Sequence, residues 1–206
     1  MFIKKPATAR SVAFRKKILG VGVNDADYQT QPKINGKNEW CPFFSVWRSM
    51  IHRCYSSRYH EKSPSYKGCL VHKDWLLFSN FKEWMILQEW EGMALDKDIL
   101  VYGNKTYSEN TCAFVSTRVN NLLNDHRSKR GLLPIGVCKF ENKYMAQCSG
   151  RDKRYIGLYN TPNEAHIAWA EEKVKVITKV AETQNPKIKI ALLKIADIIT
   201  PIFAQK

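Results

Sequence analysis

Hydrophobic positions along the chain fall into two rhythms, one helical and one strand-like. From Phe43 onward, Phe44, Trp47, Met50, Ile51 and Cys54 recur at three- and four-residue spacing, which predicts a helix burying one face. The polar stretch 56–68 reads as a loop. Trp75, Phe78, Phe81, Trp84 and Met85 then predict a second helix with an apolar stripe. Residues 95–101, LDKDILV, predict a short strand, the turn-rich YGNKTYSENT follows, and CAFV predicts a second strand. Ser116 or Thr117 is placed to cap a helix running to Asp125, which completes a ββα unit.

The basic segment HRSKRGLLP, with Gly131 and Pro134, reads as a linker. Beyond it, IGVCKF, KYMAQCS and RYIGLYN predict three short strands, separated by Glu141–Asn142 and by Gly150–Arg151–Asp152. Thr161, Pro162 and Glu164 carry the cap, first-turn proline and capping-box acid of a helix start, with Ala165, Ala168, Trp169 and Val176 along that helix. Pro186 ends it, and Ile190, Leu193 and Ile198 predict a final amphipathic helix. The expected fold class is α+β: a helical N-terminal region with a ββα unit, then a three-stranded antiparallel sheet packed on a helix. The expected divisions are a basic N-terminal arm (1–42), a ββα-containing domain (43–127), a linker (128–134), a three-stranded-sheet domain (135–180) and a C-terminal helix (181–206).

Charge narrows the partner. Thirty-three Lys and Arg against 19 Asp and Glu give +14 over 206 residues. Such a surplus favours a polyanion, because neutralising phosphates releases condensed counterions. Arg15, Lys16 and Lys17 are candidates for a phosphate-contacting arm or a solvated tail. No segment is apolar for long enough to span a bilayer, so a membrane partner is not expected, and the basic start lacks a secretory pattern. Cytoplasm is the expected compartment, where the six cysteines read as reduced thiols or metal ligands.

Several motifs are familiar. Gly136-Val137, Tyr144-Met145-Ala146, the run from Tyr155 through Gly157 to Tyr159, and Thr161 to Ala165 resemble the plant ethylene-response-factor (APETALA-type) DNA-binding domain in its bacteriophage form. That resemblance implies a sheet lying in the major groove of double-stranded DNA, with a helix behind it. Position by position it puts Cys138, Phe140, Gln147, Ser149, Lys153 and Tyr155 on the groove side, with Lys139, Lys143, Arg151 and Arg154 nearby to hold phosphates. The plant pattern has several arginines on that face. Their scarcity here implies grip more than base-specific reading.

WRSMIHRCY, SYKGCLVHKDWLLFSNF and LDKDILVYGNKTYSENTCAFVSTRVNNLL resemble a phage group of HNH or homing-type endonucleases. An HNH-like ββα unit holds one divalent ion, magnesium or manganese, while a His beside the first ligand activates water. The resemblance implies Asp96 as strand ligand, Asn120 as helix ligand and Asp98 as second carboxylate. Lys97 stands at the usual base position. A lysine beside a metal and phosphates stays charged, so it binds phosphate but is a poor base. His126 and Tyr107 are the alternative bases. On a purely structural reading, Asp96 and Asp98 cap turns while Asn120 and Asn121 satisfy backbone groups.

Cys54, Cys69, His72 and Cys112 form a candidate structural zinc site, with Cys69-x-x-His72 at half-site spacing; buried core cysteines are the alternative. Cys41, Cys138 and Cys148, and His52, His60 and His166, show no such pattern. Three functions stay open: a metal-dependent DNA endonuclease, a catalytically inactive DNA-binding or regulatory protein, and a phage protein that binds a host protein. The oligomeric state is open as well.

Overall fold

Trp47 sits at the centre of the first half because the helix that carries it repeats an apolar residue every turn. In the computed structural model, which describes residues 2–123, 131–148 and 154–203, that helix (α2, Pro42–Tyr55) buries Phe44, Trp47, Met50, Ile51 and Cys54. It packs on α4 (Phe78–Ile86), which buries Phe78, Phe81, Trp84 and Met85. The Phe44 ring meets Phe78 edge to face at 5.2 Å, and the Trp47 indole N–H donates to the Trp75 carbonyl at 2.7 Å, which satisfies that buried donor.

The chain is α+β, with seven α-helices and nine strands among the described residues, and divides into two compact units. The first comprises Met1–Asp98 with Gly103–Phe114, the second Ile99–Tyr102 with Val115–Lys206.

In the first unit, residues 2–42 fold onto the α2–α4 core. They carry the short helix α1 (Ala9–Ala13) and a hairpin of β1 (Lys33–Ile34) and β2 (Lys37–Asn38), turned by Asn35 and Gly36, both at positive φ. Arg15 donates to the carbonyls of Asn24, Ala26 and Tyr28, which makes it an internal clasp and not a free phosphate contact. Leu77, the N-cap of α4, offers no side-chain acceptor; Asp25 supplies one from far along the chain, accepting the Ser79 N–H at 2.9 Å.

The stretch 56–68 is more ordered than a loop. Ser56 accepts the Tyr59 N–H and starts α3 (Ser57–Lys62), and a 3₁₀ turn follows at Pro64–Tyr66. β3 (Leu70–Val71) pairs in parallel with β5 (Thr106–Tyr107), while β4 (Ala94–Asp96) pairs with β6 (Ala113–Val115). The strand expected over 95–101 ends at Asp96, because the Asp96 carboxylate turns back to accept the Asp98 N–H at 2.7 Å.

In the second unit, Ser116 caps α5 (Thr117–Leu122); Asn124 and Asp125 of the expected helix and residues 128–130 of the expected linker lie outside the described residues. β7 (Val137–Phe140), β8 (Lys143–Cys148) and β9 (Arg154–Tyr159) form an antiparallel sheet in that order. α6 (Pro162–Ala181) opens with a complete capping box between Thr161 and Glu164. Its Ala165, Trp169 and Ala170 pack on Val137, Ala146 and Cys148 of the sheet. Gly136 makes that contact close: with φ at +80°, a Cβ there would lie 2.0 Å from the Trp169 ring.

α7 (Pro186–Ile199) packs against α6 and buries Ile188, Ala191, Leu192, Ile195 and Ala196. The helix is amphipathic as expected, but the apolar residues named for it are not those it buries. Ile190 and Ile198 face solvent, because the helix carries two apolar rows and the one rich in alanine lets the helices approach closely.

Candidate nucleic-acid interface and expected metal sites

Strand register decides which side chains leave the sheet on the side away from α6. Cross-strand partners share a face, and Val137, Ala146 and Gly157 lie side by side on the helix-covered face. Cys138, Met145 and Leu158 therefore share the open face, as do Phe140 with Lys143. A β-bulge between Ala146 and Gln147 then changes the phase. Ala146 pairs with Gly157 but Gln147 pairs with Tyr155, so Ile156 is the extra residue. In regular alternation Tyr155, two residues before Gly157, would share its face. With the bulge, the Tyr155 ring stands on the open face, 61% exposed; Phe140, 47% exposed, stands on the same face at the diagonally opposite corner of the sheet.

Of the expected groove-side residues, Cys138, Phe140, Gln147 and Tyr155 are thus on the open face, and Ser149 and Lys153 lie outside the described residues. The pattern missed Met145 and Leu158, whose alternation with Tyr144 and Gly157 was the available signal. Gln147 is partly engaged, since its amide donates to the Cys138 Sγ at 3.3 Å. Among the expected phosphate holders, Lys143 sits at the open face and Lys139 is exposed on the other parity, while Arg151 is outside the described residues. Arg154 is committed elsewhere: its guanidinium donates to Glu172 of α6 at 2.7 Å. No described residue of the open face is an arginine. Rings, aliphatic groups, an amide and an ammonium make its chemistry.

The expected catalytic residues divide between the two units, Asp96, Lys97 and Asp98 in the first and Asn120 in the second. Asp96 closes β4 of the first unit, and Asn120 lies on α5 of the second, its N–H donating to the Ser116 carbonyl at 2.9 Å. Lys97 is 6% exposed, and its ammonium is fully occupied. It donates to both Asp98 carboxylate oxygens, at 2.6 and 2.7 Å, and to the Asn104 carbonyl at 3.0 Å. A buried lysine bonded three ways positions a loop; it is not placed to take a proton from water. Tyr107 does not replace it as a base. Burial raises its phenol above the usual tyrosine range, and its hydroxyl is held against Arg53. His126 lies outside the described residues.

Cys54, Cys69 and Cys112 are buried free thiols, close enough to Lys97 that its charge acts on all three. Burial nevertheless dominates and pushes Cys54 and Cys112 up to about 12, so they are protonated thiols near neutrality. His72 is apart from them in character: its imidazole is half-exposed and 3.4 Å from the Asp74 carboxylate. Among the described residues, no three His, Cys, Asp or Glu side chains are arranged as ligands for an ion, and the four side chains as placed do not fit zinc. Two further imidazoles serve structure: His60 bonds the Arg53 carbonyl at 2.8 Å, and His166 bonds the Ile135 carbonyl at 2.9 Å while stacking on Trp169.

No described helix is long and apolar enough to cross a membrane. Comparison with protein-family models, with curated protein sequences and with solved structures returned no match for the chain.

Proposed function

We propose that the protein binds double-stranded DNA through the open face of the β7–β9 sheet, as a phage-type DNA-binding protein working in a bacterial cytoplasm. The observation that carries this reading is the exposure of Phe140, Tyr155 and Leu158 on a sheet whose other face is already covered by α6, in a chain of net charge +14. An apolar and aromatic sheet face within a strongly basic protein suits a groove, where apolar groups meet base edges and distributed lysines meet phosphates. The lack of a described arginine on that face supports binding of many sequences with modest preference. The test is fluorescence anisotropy with duplexes of unrelated sequence over a range of salt. Binding with a steep salt slope and little sequence preference supports the reading, and failure to bind at low salt removes it.

A second reading, metal-dependent phosphodiester hydrolysis on an HNH-like unit, is favoured by one observation: paired strands β4 and β6 lead directly into the Ser116-capped helix α5. It would need magnesium or manganese held at the Asp96 carboxylate and a base other than Lys97. Supercoiled plasmid with either ion, then with chelator, tests it. Nicking abolished by Asp96→Ala supports an endonuclease, and intact but gel-shifted plasmid supports the binder alone. A host protein as the true partner would emerge as a chain that neither shifts nor cuts DNA.

A further inference from the structure

The second unit contains a cavity of about 130 Å³ walled by side chains from α5, α6, α7 and the segments beside them. Leu123, Ile135, Trp169, Ile195 and Ile202 give it an apolar wall, and one cation enters that wall, Lys173 of α6. Lys173 is only 6% exposed, so its ammonium has left water almost completely. Among the described residues it has one acceptor, the Leu122 carbonyl at the end of α5. An ammonium carries three N–H donors, so the single carbonyl leaves donor capacity at the cavity. A cation against hydrocarbon is costly unless an anion or several dipoles answer it. Burial accordingly holds Lys173 below the usual lysine range, opposed only by the nearby Cys148 thiol.

Water answers this need poorly. A buried water requires two to four polar partners, and the lining side chains offer the Lys173 amine and, at the exposed edge, Tyr102. Size sets the other limit. A cavity of about 150 Å³ lined by aliphatic and aromatic groups accepts a benzene-sized body. Inorganic phosphate would bring a doubly charged, heavily hydrated group with nothing to fill the apolar wall.

We propose that this cavity is a binding site for a small monocarboxylate with an apolar body of benzene size, its carboxylate meeting the Lys173 ammonium and its body lying against Trp169 and the isoleucines of α7. The site uses the side of α6 that bears Lys173, not the open face of the sheet, so it does not depend on the DNA reading. Its ligand would supply the missing counter-charge for Lys173 and fill space between α6 and α7, and so stabilise the second unit by binding the folded form alone.

The experiment uses the full chain and three probes: benzoate, benzyl alcohol as its neutral counterpart, and inorganic phosphate. Chemical-shift changes in a proton–nitrogen correlation spectrum, including the Trp169 indole signal, report occupancy. Benzoate is expected to bind and to shift Trp169, benzyl alcohol to bind at least about tenfold more weakly, and phosphate not to perturb that signal. Lys173→Met is expected to remove the preference, leaving benzoate no tighter than benzyl alcohol. Should that variant fail to fold, Ile198→Trp, at an exposed position of the lining, is expected to block benzoate and keep the unfolding midpoint. Equal binding of benzoate and benzyl alcohol, benzoate shifts that spare Trp169, or no benzoate binding at millimolar concentration would each overturn the proposal.

Discussion

Lys97 and Asn104 hold each other across seven residues of chain: the lysine ammonium donates to the asparagine carbonyl at 3.0 Å, and the asparagine side-chain amide donates back to the lysine carbonyl at 2.8 Å. The same Asn104 amide also reaches the Thr106 carbonyl at 2.7 Å, and its oxygen accepts the Thr106 N–H at 3.1 Å. The turn between β4 and β5 is therefore shaped by a side-chain lattice. Its energetic weight follows from burial: removing one partner strands the other.

Lys97→Met and Asn104→Ala are each expected to cost about 1–3 kcal/mol, since Lys97→Met leaves half-buried partners unmet and Asn104→Ala leaves the carbonyls of buried Lys97 and half-buried Thr106 unmet. The double variant should cost less than the sum, because both changes break one network. Urea unfolding of the four proteins measures this. Fully additive losses would mean the two residues act separately.

On the open face, Phe140→Ala and Tyr155→Ala are each expected to weaken duplex binding by about 1–2 kcal/mol, roughly five- to thirtyfold, without lowering stability. Lys143→Ala should lower the salt slope by about 1. Arg154→Ala should change binding little, because Glu172 already holds its guanidinium. A large loss in Arg154→Ala with no effect of Tyr155→Ala would move the interface to the other face.

Gly136→Ala and Gly131→Ala share a positive φ but not their surroundings. A Cβ at position 136 meets Trp169 at 2.0 Å, whereas one at position 131 meets nothing within 4 Å. The first is expected to cost about 3–5 kcal/mol through overpacking and strain together, the second about 1–2 kcal/mol through strain alone. Urea midpoints of the two variants should therefore differ clearly.

Lys173 gives a pH dependence with a definite sign. Its folded-state value is lowered by burial, so below the ordinary lysine value of about 10.4 the unfolded chain holds more protons than the folded one. Stability must then rise with pH between the two values. Thermal midpoints of the native chain, compared with Lys173→Met, should shift in favour of the native chain from neutral pH toward pH 10. Tyr102 is the other titratable side chain lining the cavity, and Cys148 acts on Lys173 from β8, so Cys148→Ala provides the background in which lysine alone is read.

Because Cys54, Cys69, His72 and Cys112 are not arranged as a ligand set among the described residues, chelator is expected to leave the unfolding midpoint unchanged. Zinc content of protein purified without a His tag checks this. About one equivalent of zinc, lost in Cys69→Ala, would instead assign the four side chains to a metal.

The parts of this fold that could be read from sequence are those whose cause is local. The buried faces of α2 and α4 follow from helical spacing residue by residue, and the Thr161–Glu164 capping box follows from side chains three positions apart. What escaped was set by distant partners. Asp25 caps α4 from 54 residues away, and Arg15 spends its guanidinium on carbonyls that no spacing rule connects to it. For Lys97, the sequence marked the position as anomalous but could not show Asn104 and Asp98 closing around it. In α7 the two apolar rows were both visible, and only the packing against α6 distinguishes them.

The extra residue Ile156 has a consequence for how this sheet can change. Because strand parity is binary, deleting Ile156 would set Tyr155 directly beside Gly157, keep it opposite Gln147 and keep Arg154 opposite Cys148, and so remove the bulge while leaving both faces of β9 as they are. A single-codon deletion at this point is thus absorbed by regular pairing, and the outer face keeps its tyrosine.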